Sequence, residues 1–179
     1  IVLFRRIARR TWAYFDRFVT ASDHWLPPDN VQEMPEPRIA HRTSPTNIGM
    51  GLLSTLAAHD LGYLRTDALA VRLEAMLDSV ESLERHEGHL VNWYDTTSLA
   101  PLAPRYVSTV DSGNLAASLM TLAAGMRQLA GAPEADERLI SGAVDTIEVL
   151  DEMLLALIRN SGTTGSRAPS CEAARLALG

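Results

Sequence analysis

Two helical segments of this 179-residue chain carry almost no charge. Residues 45–60 have none before Asp60, and residues 113–130 have Arg127 alone. A helix that is apolar on every side belongs in an interior, because any face left in water would expose hydrocarbon. The other helical segments, 3–19, 67–86 and 134–160, are striped instead. Segment 67–86 repeats Leu69, Leu73, Met76, Val80 and Leu83 at helical spacing, with Asp67, Arg72, Glu74, Asp78, Glu81, Glu84 and Arg85 around them. Along the chain the order is therefore outer, inner, outer, inner, outer. That order predicts an all-α fold, a helical toroid (an α/α barrel) built of hairpins. A plain helical bundle with two central helices has the same pattern.

The connections alternate as well. Inner-to-outer links are short (61–66, 131–133), and outer-to-inner links are long (20–44, 87–112). In antiparallel packing both long loops fall at one end, over the N-termini of the inner helices. Loops of that length in a compact domain usually serve a function. Ser44 and Pro45 start the first inner helix as cap and first residue. Gly62 suits its C-terminus, Asp111 or Ser112 is expected to cap the second inner helix, and Gly131 to end it. After Asn160 the run "SGTTGSRAPS" reads as linker, so the folded unit is set at 1–160 and a tail at 161–179.

The loops are polar and aromatic. The first offers Trp25, Asp29, Asn30, Gln32, His41, Arg42 and Thr43, and leads into Ser44 and Asn47. The second offers Asn92, Trp93, Tyr94, Asp95, Arg105, Tyr106, Asp111 and Ser112, and leads into Asn114. Aromatic faces beside Asp, Asn and Arg suit a carbohydrate. Sugar rings lie on aromatic rings, and their hydroxyls take hydrogen bonds from planar polar groups. The same residues could instead anchor the loops, with Asp111 as a cap and His41 on loop backbone.

Other classes are disfavoured. The net charge of −6 argues against a nucleic-acid partner. His86 and His89 form an isolated H-x-x-H, so no metal is expected, and no cofactor motif appears. There is no G-x-S-x-G for a serine nucleophile. Cys171 stands alone, which excludes an internal disulfide. No apolar run approaches the roughly 20 residues of a membrane span. Arg5, Arg6, Arg9 and Arg10 form either a solvated helix face or a juxtamembrane cluster. The start at Ile1 suggests a piece of a larger protein.

Three stretches, "RRTWAYFDRFVTASDHWLPPDNVQE", "AHRTSPTNIGMGLLSTLAAHDLGYL" and "HLVNWYDTTSLAPLAPRYVSTVDSGNLAASL", closely resemble the glycoamylase-like middle domain of bacterial cyclic β-1,2-glucan synthases. The resemblance spans residues 5–130. It implies an (α/α)6 barrel of about twelve helices, of which this chain supplies five. It further implies a transglycosylase domain within a multi-domain protein, on the cytoplasmic side of the inner membrane. The expected partners are β-1,2-glucan and the remaining domains of the synthase. Retaining glycosyl transfer needs two carboxylates about 5 Å apart, and the resemblance puts that glutamate pair beyond this sequence. Sugar-contacting roles are therefore carried over onto "WLPPDN", "HRTSPTN", "NWYD" and "VDSGN". Asp95 and Asp111 are the carboxylates here with any claim to chemistry, and the isolated chain is expected to be inactive. A non-catalytic sugar-binding remnant and a helical interaction module are the rival readings.

Overall fold

The computed structural model describes residues 2–130 and 136–163. Five helices carry these residues: α1 (Val2–Phe18), α2 (Pro45–Asp60), α3 (Thr66–Ser82), α4 (Thr109–Leu129) and α5 (Asp136–Thr163). The long loops are not structureless. β1 (Val31–Gln32) pairs antiparallel with β2 (Arg38–Ile39), and β4 (Arg85–His86) with β5 (His89–Leu90). The third ladder joins the two loops: β3 (Arg42–Thr43) pairs with β6 (Tyr94–Asp95), Arg42 opposite Asp95 and Thr43 opposite Tyr94.

The charge-poor α2 is the centre of the molecule. Ile48, Leu52, Leu56 and Ala58 on it are buried, together with Trp12, Phe15 and Val19 of α1 and Leu69, Leu73, Met76 and Val80 of α3. The periodicity read from α3 thus faces α2, while its charges face outward. α2 and α4 approach closely. A Cβ added at Gly49 would lie 2.6 Å from Ser118 Oγ, so the small residue is what lets these helices meet.

α4 departs from the expectation that it is buried. Only Leu115, Ser118 and Leu122 of α4 are buried, while Val110 is 70% and Met120 75% exposed. The reason is that α4 packs chiefly on α2. One side of an all-apolar helix is satisfied and the other is open. Its start also differs: the cap is Ser108, whose Oγ accepts from the Asp111 backbone N–H at 3.2 Å. Asp111 and Ser112 fall inside the first turn.

The arginines at the start of α1 are engaged by α5. α1 and α5 lie side by side and run in the same direction, linked by charge. Arg5 pairs with Asp145 at 2.8 Å, Arg6 with Glu152 at 2.5 Å and Glu148 at 3.5 Å, and Arg10 with Glu152 at 2.8 Å. Arg9 donates to Thr146 Oγ1 at 2.8 Å. Across the other flank, Arg72 of α3 lies between the rings of Trp12 (5.1 Å) and Trp25 (5.4 Å). It donates to the Phe15 and Val19 carbonyls at the end of α1, both at 3.3 Å. Helices α1, α3 and α5 therefore form one outer layer.

The helix C-terminal to the second short link reaches Thr163, three residues past the expected boundary at Asn160. The rest of the expected tail, with Cys171, lies outside the described residues, as does Gly131. Gly62 does follow α2 with φ +83°, as a C-terminal glycine should.

Candidate functional site

The N-terminal mouth of α2 is where both loops meet, because the β3–β6 ladder clamps them there. Ser44 caps α2, its Oγ accepting from the Asn47 N–H at 3.2 Å. With the cap filled, Thr46 and Asn47 in the first turn turn their side chains to neighbours. Each makes a link to a different segment.

Asn47 links to the first loop. Its Nδ2 donates to Asp29 Oδ1 at 3.4 Å, and Asn30 Nδ2 donates to Asp29 Oδ2 at 2.9 Å. Arg42 donates to the same Oδ2 through Nε at 3.1 Å and Nη2 at 2.8 Å. Its guanidinium lies 4.9 Å from the centroid of the Trp93 ring. Arg42 thus pairs with Asp29 and not with Asp95 or Asp111. Thr46 links to α4: its hydroxyl donates to Asp111 Oδ1 at 2.5 Å and accepts from Asn114 Nδ2 at 3.1 Å. Asp29, Asn30, Arg42, Asn47, Trp93, Asp111 and Asn114 therefore gather along one mouth. Ser112 sits beside them, its backbone N–H bonded to the Ser108 carbonyl at 3.0 Å.

Several other expected contacts are placed elsewhere. Tyr94 is fully buried; its hydroxyl donates to the Glu84 carbonyl at 2.7 Å and accepts from the Val91 N–H at 2.8 Å. Burial pushes the Tyr94 phenol up from its ordinary pKa, so it stays a neutral bridge between strands. Thr43 is also fully buried, and Asn92 is 3% exposed with its amide oxygen on the Tyr106 N–H at 3.4 Å. Trp25 packs against Arg72 on the α1–α3 side. These four residues brace the loops through the contacts named.

His41 belongs to a separate cluster. Its Nδ1 lies 2.7 Å from Asp23 Oδ1, which also accepts from the Thr96 hydroxyl. Asp23 and Thr96 are buried. Asp23 and Thr96 fall outside the stretches given sugar-contacting roles, while Thr46 lies inside "HRTSPTN" without being named by itself. Asp23 sits in the helical turn Ala21–Asp23, with nothing but a lone acid to signal it. Thr46 had a signal, since its place in the first turn of α2 leaves its side chain at the mouth.

The candidate carboxylates differ in state. Asp95 Oδ1 accepts four donors: the Thr97 hydroxyl at 2.6 Å and N–H at 2.9 Å, and the Ser98 N–H at 2.8 Å and hydroxyl at 3.0 Å. The Thr97 hydroxyl bond is the largest cause that holds its pKa below the ordinary value. A carboxylate so favoured as the anion is a poor proton donor. It ties the β6 turn together. Asp111 is committed through Oδ1 to Thr46 and lies in the first turn of α4. Among the described residues no three acidic, His or Cys side chains are grouped to hold a metal ion.

No family model matches the chain. It is 47% identical over 151 residues to the cyclic β-(1,2)-glucan synthase NdvB of Rhizobium meliloti. That match takes in 84% of this chain and 5% of the relative, so the chain spans about one twentieth of the synthase it resembles. Any continuous stretch of that length includes residues 29–151, and with them the whole mouth of α2. A solved Bacteroides fragilis structure described as a candidate glucoamylase superposes with a TM-score of 0.55 at 19% identity, over 72% of this chain and 36% of that one. The resemblance to cyclic β-1,2-glucan synthases is thus borne out, and the helical fold is glucoamylase-like.

Proposed function

We propose that this chain is part of the glucan-processing, glucoamylase-like domain of a cyclic β-1,2-glucan synthase, and that the mouth of α2 contacts the glucan. The observation that carries the reading is the 47% identity to such a synthase across a stretch that includes Asp29, Arg42, Trp93 and Asp111. The geometry supports it. An arginine, an aromatic ring, three amides and two carboxylates converge at the N-terminal ends of α2 and α4.

In this reading the chain supplies binding, and the acid–base carboxylates lie on other parts of the parent protein. Asp95 is consumed by its own turn, and Asp111 acts as a contact or an anchor. Transglycosylation, closure of a full (α/α)6 barrel and a place at the cytoplasmic face of the inner membrane follow from the resemblance. No helix among the described residues is long and apolar enough to cross a membrane. The chain by itself is expected to bind glucan without turning it over.

The test uses the full-length synthase carrying Arg42→Ala or Asp111→Ala. Glucan cyclisation, followed by chromatography of the products, should drop at least tenfold with the fold kept, since hydrogen bonds to charged groups are worth about 1.5–3 kcal/mol each. Unchanged cyclisation in both variants would return the cluster to loop anchoring. A second reading, a helical interaction module, is favoured by one observation. Ile140, Val144, Ile147, Leu154 and Ile158 on α5 are exposed at spacings that share one helix face. Such a stripe fits packing on the remaining parts of the synthase, and it is compatible with glucan contact at the other end.

A further inference from the structure

We infer that Asp29 and Trp93 are positioning residues for Arg42, and that the guanidinium, not the indole, is the group that meets the sugar hydroxyls. The inference rests on the glucan reading above. A tryptophan in a carbohydrate cleft ordinarily offers its face to a sugar ring. Here a face of Trp93 is already covered, because the Arg42 guanidinium carbon stands 4.9 Å from the ring centroid. A hexose cannot lie on that face while Arg42 does.

The arginine is held from two directions. Asp29 Oδ2 takes Nε and one Nη2 hydrogen, which fixes the rotation of the guanidinium plane. The indole fixes the plane's tilt by stacking. Asp29 is itself anchored. Pro27 and Pro28 before it are buried, its backbone N–H reaches the Ala40 carbonyl at 3.2 Å, and Ala40 N–H returns to Asn30 at 3.0 Å. Arg42 is registered on β3 opposite Asp95. A guanidinium has five N–H donors. Two are spent on Asp29, and the remaining three lie toward Nη1, on the side away from the carboxylate. A planar fork of this kind suits two neighbouring oxygens, as a glucan presents on one ring.

The experiment uses the 179-residue chain and linear β-1,2-glucan as the probe. In the free chain, Arg42→Ala should uncover Trp93, shift tryptophan emission to the red and increase quenching by acrylamide. Trp93→Phe should abolish that increase. Glucan affinity should fall about tenfold or more in Arg42→Ala, as for loss of hydrogen bonds from a charged donor. Arg42→Lys should fall nearly as far, since lysine keeps the charge without the fork. Asp29→Asn should lose about threefold, and Trp93→Phe should stay within about twofold because a phenyl ring still carries a guanidinium. Affinity kept in Arg42→Ala, or lost in Trp93→Phe as heavily as in Arg42→Ala, would overturn the assignment in favour of direct stacking on the indole. Unchanged quenching in Arg42→Ala would overturn the positioning itself. Absence of glucan binding by the parent chain would instead sink the glucan reading, and with it the ligand given to Arg42.

Discussion

At the scale of single residues, the molecule spends most of its polar side chains on itself. Asp145 is the clearest case. It is 6% exposed, pairs with Arg5 and accepts from the Tyr63 hydroxyl at 2.9 Å. Burial, with the bond to Asp145 second, pushes the Tyr63 phenol up to about 12. The folded state therefore holds this proton more tightly than the unfolded chain, whose tyrosine titrates near 10.0. Stability should be intact below that lower value and decline as pH rises from it toward about 12. Tyr63→Phe should flatten this alkaline decline relative to the parent, read by denaturant unfolding across that range. Residue roles were the least legible part of the sequence. "NWYD" shows which side chains a loop contains, but strand alternation sends Trp93 outward and Tyr94 into the core, and no local signal reveals that a two-residue ladder exists there. Arg42 stands out in the sequence as a candidate contact, while its pairing with Asp29 does not, since the two lie 13 positions apart across the β1–β2 excursion.

At the scale of elements, helix existence was plain from periodicity, while bounds were legible only in part: α3 stops at Ser82 and not at 86, and α4 starts at Thr109 and not at 113. Expected segments 45–60 and 3–19 match α2 and α1 to within a residue. What hydropathy could not tell was which neighbour each apolar face meets, so α4 was placed inside on the strength of composition alone. Nor could it tell that the arginines of α1 answer the acids of α5, because the two patterns lie far apart in sequence. The outermost of these pairs are exposed and worth little, about 0–1 kcal/mol each. The fit of α5 depends more on a bare backbone crossing. A Cβ at Gly142 would fall 2.2 Å from the Gly62 carbonyl oxygen, a contact with main chain that no side-chain rotation relieves. Gly142→Ala should therefore push α5 off the α2–α3 turn and cost about 2–3 kcal/mol, at the upper end for overpacking. Calorimetric or denaturant unfolding measures it, and a loss below about 0.5 kcal/mol would show that α5 is not seated there.

At the scale of the whole molecule, apolar surfaces stand open among the described residues, including the α4 side bearing Val110 and Met120 and the α5 stripe from Ile140 to Ile158. Open apolar patches of this extent mark missing neighbours. The isolated chain should self-associate at micromolar concentration, seen in sedimentation velocity. Met120→Lys together with Ile147→Glu should shift it toward monomer, and a parent chain that sediments as a monomer would refute the idea. The central place of α2, with α1 and α3 packed on it, was legible from charge segregation because burial acts on whole helices. The charge links between α1 and α5 also set a timetable. Arg5 and Asp145 are 140 positions apart, and Arg10 and Glu152 are 142 apart. A growing chain emerges from its first residues onward, so the arginines of α1 wait unpaired through the synthesis of α2, α3 and α4. The outer layer can lock only when Glu152 has cleared the ribosome, so among the described helix contacts the α1–α5 joint is the last to become available during synthesis.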